Sequence, residues 1–145
     1  MLDPDNVVEE LTPEQCWDKL EDEEFGRLAY RLVDEVHLVP INYVVDGRCL
    51  LFRTAAGNKL FAAALTSDVA FEIDWHDDTD AWSVVARGRM RILEEDEQHR
   101  LDGEPRQPWV PTLKYDVVEI QPDVVTGREF RLTRSGPDRG VTARP

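Results

Sequence analysis

Basic residues are scarce in this chain: 17 lysines and arginines stand against 30 aspartates and glutamates, a formal net charge of −13. Binding to phosphate backbones needs a basic face and the counterion release that goes with it. Nucleic acid is therefore excluded as a partner, and an anionic membrane with it. Long apolar runs are missing too; none approaches the roughly 20 residues that a membrane-spanning helix requires. The start, Met1-Leu2-Asp3-Pro4-Asp5-Asn6, has neither a basic region nor an apolar one. It does not read as a signal peptide, so the chain is expected in the cytoplasm. Cysteine is limited to Cys16 and Cys49. Two thiols in a reducing compartment are favoured over one disulfide. Neither has a second thiol or a histidine at ligand spacing, so a zinc site or a cysteine nucleophile lacks support. The motifs GxGxxG, GxxxxGKS/T and GxSxG are absent, which removes the anchors for dinucleotide, P-loop and hydrolase chemistry.

What is present fits one domain of 145 residues. Residues 11–132 read as the folded unit, 1–10 as an N-terminal extension and 133–145 as a flexible tail rich in Gly, Pro and charge. Thr12 reads as a helix N-cap, Pro13 as the first helical residue and Gln15 as the closing half of a capping box. Cys16, Trp17 and Leu20 then share one helical face. The acidic run Glu21-Asp22-Glu23-Glu24 ends this helix as a solvated turn.

Strand patterns follow. Leu28, Tyr30 and Leu32 alternate within Phe25–Leu32, and His37–Val45 is a second run. Asp46-Gly47 is the strongest short hairpin signal, with a return strand over 48–54. A short helix is expected over 59–65, then strands over 69–75 and 82–93 with Gly88 as a bulge or bend. A helical turn is expected over 94–101 and a proline-marked connection at Pro105, Pro108 and Pro111. Two last strands, 114–120 and 124–132, are separated by Gln121-Pro122-Asp123. Strands joined by hairpins predict a mainly β chain, an antiparallel barrel with a few short flanking helices.

Chemistry concentrates in Phe52-Arg53-Thr54-Ala55-Ala56-Gly57-Asn58-Lys59. Arg53 offers a charged fork, Thr54 a hydroxyl and Lys59 a point charge at the start of the expected helix, where free N–H groups face outward. This mix suits a phosphate; the alternative is a surface loop with incidental charges. His37 reads as structural before a core strand, with approach to a flavin or a haem iron as the alternative. His76, His99 and the run His76-Asp77-Asp78-Thr79-Asp80 read as solvated surface rather than a metal site. Trp17 and Trp75 read as packing residues, Trp82 as adjoining the proposed site, and Trp109 as a cover over the barrel or its cleft. No nucleophile or paired carboxylates stand out.

Several segments in order resemble a known family: His37–Tyr43, Asp46-Gly47, Phe52-Arg53-Thr54 with Gly57 and Lys59, Trp82–Gly88, and Gly127-Arg128-Glu129-Phe130. Together they are similar to the pyridoxamine 5′-phosphate oxidase-related flavoproteins, in particular the small actinobacterial and nitroimidazole-resistance-like branch. The resemblance implies a Greek-key-like split β-barrel, a homodimer and FMN held at the interface. Deazaflavin or haem are the alternative groups, and a binding role without catalysis is the alternative to an oxidoreductase. It implies Val39, Pro40, Ile41 and Asn42 beside the isoalloxazine ring. Phe52, Arg53, Thr54, Asn58 and Lys59 would surround the phosphate, Trp82 and Ser83 would lie near the ring, and Arg128 would reach the other subunit's cofactor. A small-molecule substrate and a reduced nicotinamide or similar donor complete the implied reaction. The sequence departs from the founding oxidase at its Arg-Lys phosphate pair, here Asn58-Lys59, and lacks that enzyme's C-terminal substrate segment.

Overall fold

Apolar–polar alternation dominates this chain, and it is written into strands. The computed structural model describes residues 7–55, 57, 65, 67–101 and 115–132. In chain order these form β1 (Val8–Glu10), α1 (Pro13–Asp22), β2 (Phe25–Leu32), β3 (Glu35–Asn42), β4 (Val44–Asp46), β5 (Cys49–Ala55), β6 (Val69–His76), β7 (Asp80–Ile92), a 3-10 helix (Glu95–Leu101) and β8 (Tyr115–Arg131). The sheet runs β3-β2-β6-β7-β8-β5-β4, with β1 added beside β8. Every pairing is antiparallel. It curls until β3, at one end, comes beside β5, near the other. The result is the expected split β-barrel.

The core fills the inside of the curl. Leu28 and Tyr30 of β2, Phe71 and Ile73 of β6, Val84 and Ala86 of β7, and Val118 and Ile120 of β8 all face inward. The apolar face of α1, Cys16, Trp17 and Leu20, covers them. The helix starts as the sequence indicates. Thr12 accepts the Gln15 amide at 3.2 Å, and Gln15 Oε1 accepts the Thr12 amide at 2.8 Å. Tyr43 then ties helix to sheet: its hydroxyl donates to the Leu20 carbonyl at 2.6 Å and its amide to Glu24 at 3.0 Å. Cys16 and Cys49 are free thiols, and burial pushes both up from their ordinary range.

Some elements differ from expectation. Tyr43 divides the expected 37–45 strand into β3 and β4, its amide bonded to Glu24 instead of a strand. At the hairpin the two left-handed residues are Gly47 (φ 58°) and Arg48 (φ 66°), so Asp46 closes β4 and the return strand begins one residue later. Arg48 is held there by Glu14, at 2.9 Å, and lies over the Trp17 ring. Gln121-Pro122-Asp123 does not separate two strands; β8 is continuous through it. Its register slips by one residue opposite Arg87 and Gly88, a bulge that accommodates a proline lacking an N–H. Gly88 is required there, because a Cβ would lie 2.0 Å from the Gln121 carbonyl oxygen. Val8–Glu10 forms a strand that the sequence reading left unassigned. The helix expected over 59–65, the proline-marked connection, Trp109 and the tail lie outside the described residues, Leu65 excepted.

A second, smaller cluster sits on the outside of the sheet, where Leu51, Val117 and Leu93 meet Leu101 of the 3-10 helix. Beside it Glu119 is 1% exposed. Arg91 and Arg100 hold its two oxygens at 2.8 and 2.6 Å, and are themselves held by Glu97 at 2.9 Å and Asp46 at 2.6 Å. Burial pushes the Glu119 carboxyl up, but the two guanidiniums outweigh it and bring the group below its usual range. The chain of charges fastens β4, β7, β8 and the 3-10 helix together.

Candidate functional site at the open edges of the barrel

Among the described residues β3 is a terminal strand, bonded to β2 on one side. Its inward residues Val39 and Ile41 pack against the core, while Leu38 and Pro40 face out. Among the described residues the other edge has no strand beside it, so its backbone N–H and C=O groups face away from the described sheet. Proline at position 40 suits such an edge. Across the opening, β5 pairs with β4 only as far as Leu51. From Phe52 to Ala55 it keeps β8 on one side and no further strand among the described residues. β3 thus lies beside β5, with Val39–Asn42 on one strand and Phe52–Thr54 on the other.

Within β5 the side chains divide. Phe52 is 2% exposed and belongs to the main core. Leu51 and Val117 belong to the outer cluster. Strand alternation then places Thr54 on the Phe52 side and Arg53 on the outer side. The Arg53 guanidinium lies 5.1 Å from the centre of the Tyr115 ring. The structure does not bring the Arg53 and Thr54 side chains onto one face; a single anion meets both only around the strand end. Asn58 and Lys59 lie outside the described residues. Just beyond β5, the Gly57 amide donates to Asp116 Oδ2 at 3.3 Å, and Asp116 stands opposite Thr54. That loop amide donates to an anionic oxygen, as a phosphate-binding amide would.

Trp82, Ser83 and Arg128 lie elsewhere. Ser83 pairs with Arg128, whereas Arg53 pairs with Val117. Eleven residues of β8 separate the two rows, about 36 Å of strand contour. One protomer does not unite these three residues with Arg53 and Thr54. Trp82 turns inward toward α1, where Lys19 Nζ sits 4.6 Å from its ring centre.

His37 stacks on Tyr30 at 5.1 Å between centroids and lies 3.0 Å from Glu35 Oε1, a structural placement at the strand's outer end. In the 76–80 loop, Asp77 accepts the Thr79 and Asp80 amides, both at 2.8 Å, which holds its carboxyl below the usual range. No group of three or more metal-ligating side chains occurs among the described residues. Nor does any helix among them have the length and apolarity to cross a membrane. Besides the Glu119 network, the sequence reading missed a second charged cluster. Arg27 bridges Glu72 and Asp74 at 2.7 and 2.6 Å on the outer face, across from Pro40. Burial pushes Glu72 up, while its hydrogen bond to Asp74 holds Asp74 down. Two carboxylates two residues apart on one strand, opposite an arginine, were the available signal.

An open-edged antiparallel barrel with a capping helix defines a class, and comparison places the chain within it. It belongs to the pyridoxamine 5′-phosphate oxidase family, whose model matches residues 12–129. It is 44% identical over 101 residues to an uncharacterized protein of Mycobacterium tuberculosis, covering 68% of this chain and 90% of that one. A Corynebacterium glutamicum structure carrying the pyridoxamine 5′-phosphate oxidase name superposes with a TM-score of 0.78 at 42% identity, covering 86% of this chain and 99% of the other. The FAD binding protein from Mycobacterium smegmatis follows with a TM-score of 0.76 at 38% identity, covering 86% of this chain and 100% of that one.

Proposed function

We propose that this protein binds a flavin between β3 and β5 as a homodimer, and that it serves as an oxidoreductase for a small molecule. The observation that carries this is the meeting of β3, the terminal strand of the described sheet, with the end of β5, where the Gly57 amide donates to an anionic oxygen. The edge backbone of Val39–Asn42 holds the polar rim of the ring. Thr54 with Asn58 and Lys59 holds the phosphate, Arg53 approaches from the outer face, and Phe52 contributes through its backbone. Trp82, Ser83 and Arg128 act from the second copy, which resolves their distance from Arg53. The isoalloxazine, when bound, carries a hydride or an electron pair between a reduced nicotinamide or similar donor and the substrate. The protein's residues orient it and keep water from it.

A second copy is supported by apolar residues on the outer face: Val36 and Leu38 are each 65% exposed, Val124 49% and Phe25 38%. FMN follows from the family resemblance; a relative at 38% identity is named for binding FAD, which favours testing both. The experiment is titration of flavin-free protein with FMN, FAD and a deazaflavin, followed by fluorescence and light scattering. The expected result is a dimer that takes up one flavin per protomer and is then reduced by NADH or NADPH. A flavin that binds but is never reduced leaves a carrier or sensor role. Monomeric protein that binds none of the three sinks the proposal.

A further inference from the structure

The outer side of β3, β2, β6 and β7 has no helix over its middle among the described residues. α1 packs on the inner side, and the 3-10 helix meets the outer side only at Leu51, Leu93 and Val117. Strand register sets Leu38, Ala29, Ala70, Arg87 and Val124 in one row across this face. Leu38 and Val124 close the row with exposed apolar side chains, and the two alanines make a low floor between them. The next row holds Arg27, Glu72 and Val85. The charges on this floor do not match within one copy. Arg27 alone serves both Glu72 and Asp74, at 2.7 and 2.6 Å. Arg87 stands opposite Ala70, as a diagonal neighbour of Glu72, yet makes no ion pair or hydrogen bond among the described residues. The chain has 30 acids against 17 bases, so a guanidinium left over beside two carboxylates that share one is unusual.

We propose that two copies dock by this face about a two-fold axis passing between Glu72 and Arg87, so that Arg87 of each copy reaches the Glu72–Asp74 pair of the other. A two-fold contact is reciprocal: where residue i meets j, j meets i. Diagonal neighbours in an antiparallel pair lie about 7–8 Å apart. One axis between them therefore forms both contacts at the centre of the seam, each joining a guanidinium to a carboxylate. Leu38 and Val124 supply apolar cover around that centre. The seam rests on the homodimer proposed above and gives it a face and a charge pair. Ser83 and Arg128 stand in line with Asp74 across β7 and β8. Docking by this face carries them to the other copy, where the proposed flavin site needs them.

The test is sedimentation velocity on flavin-free protein over a concentration series, with circular dichroism to confirm that each variant is folded. R87E and E72K each set like charges together at both contacts, and each is expected to weaken the dimer roughly a hundredfold. Mixed in equal amounts, the two variants are expected to associate as the wild type does, because every contact then joins opposite charges. L38E changes a side chain that is 65% exposed and is expected to weaken the dimer roughly tenfold with the fold intact. It replaces E72K as the second variant if loss of the Arg27 partner unfolds that protein. A dimer as tight as wild type in both R87E and L38E overturns the seam while the homodimer reading stands. So does an equal mixture of folded R87E and E72K that stays monomeric. Monomeric wild-type protein overturns the seam and the homodimer together. A dimer that follows the expected pattern but takes up no FMN or FAD supports the seam and counts against the flavin site alone.

Discussion

The middle of this sheet and its ends are built differently. β6, β7 and β8 have strand partners on both sides, and β7 and β8 are the longest strands of the fold. β3, and β5 beyond Leu51, have one strand partner each among the described residues. The centre satisfies its own backbone and carries both apolar clusters and the Glu119 network. The ends are where the proposed flavin site lies. On that proposal stability is concentrated in one region and binding in the other, which permits each to be changed without the other.

The largest effect is expected in the centre. Glu119→Ala leaves Arg91 and Arg100 without their shared buried acceptor. Loss of one partner in a buried pair costs roughly 3–5 kcal/mol; partial exposure of both arginines reduces this to about 2–4 kcal/mol. Urea unfolding should show that loss with flavin affinity unchanged. A variant as stable as the parent would dissolve the distinction between centre and edges.

The same network sets a pH dependence. Glu119 lies below its ordinary range, and the Arg91 hydrogen bonds hold Glu97 down to about 2. Groups with depressed folded-state values stabilise fully above the unfolded carboxylate range, near ~4.3, and lose that contribution as pH falls. Melting temperature should therefore hold from neutral pH to about 5, then decline toward pH 2. Glu119→Gln should flatten that decline; an unchanged slope would place the acid-sensitive groups elsewhere.

How far the sequence foretold this division is uneven. The capping box at Thr12 and Gln15, the face Cys16, Trp17 and Leu20, and the bulge at Gly88 were legible because each is a local rule confined to a few residues. Pro122 misled, since a missing N–H reads as a strand break until its partner, Gly88, is known to sit across a bulge. The β2–β3 turn was unannounced: Val33 takes a left-handed conformation (φ 58°) where glycine or asparagine is the usual marker. Arg53 and Thr54 look like one anion site in sequence, and alternation sends them to opposite faces. The distance from Ser83 and Arg128 to Arg53 depends on strand register across β8, which no local pattern carries.

At the edges the expected effects are on affinity. Thr54→Val keeps the shape and removes the hydroxyl. Flavin affinity should fall roughly tenfold by fluorescence titration, with stability within about 0.5 kcal/mol of the parent. Equal affinity would remove Thr54 from the phosphate's surroundings. The smallest effect points the other way. Asp116→Asn removes the carboxylate that competes for the Gly57 amide, so flavin should bind about threefold tighter. Weaker binding would mean that Asp116 organises the loop instead of obstructing it.

The location of the flavin is tested most directly by amide hydrogen exchange, with and without FMN or FAD. Exchange should slow at Val39, Ile41, Asn42 and Thr54 on flavin binding, while β6 and the middle of β7 stay as they were. Protection confined to the Trp75–Trp82 end, or none along β3 and β5 with flavin bound, would contradict the account.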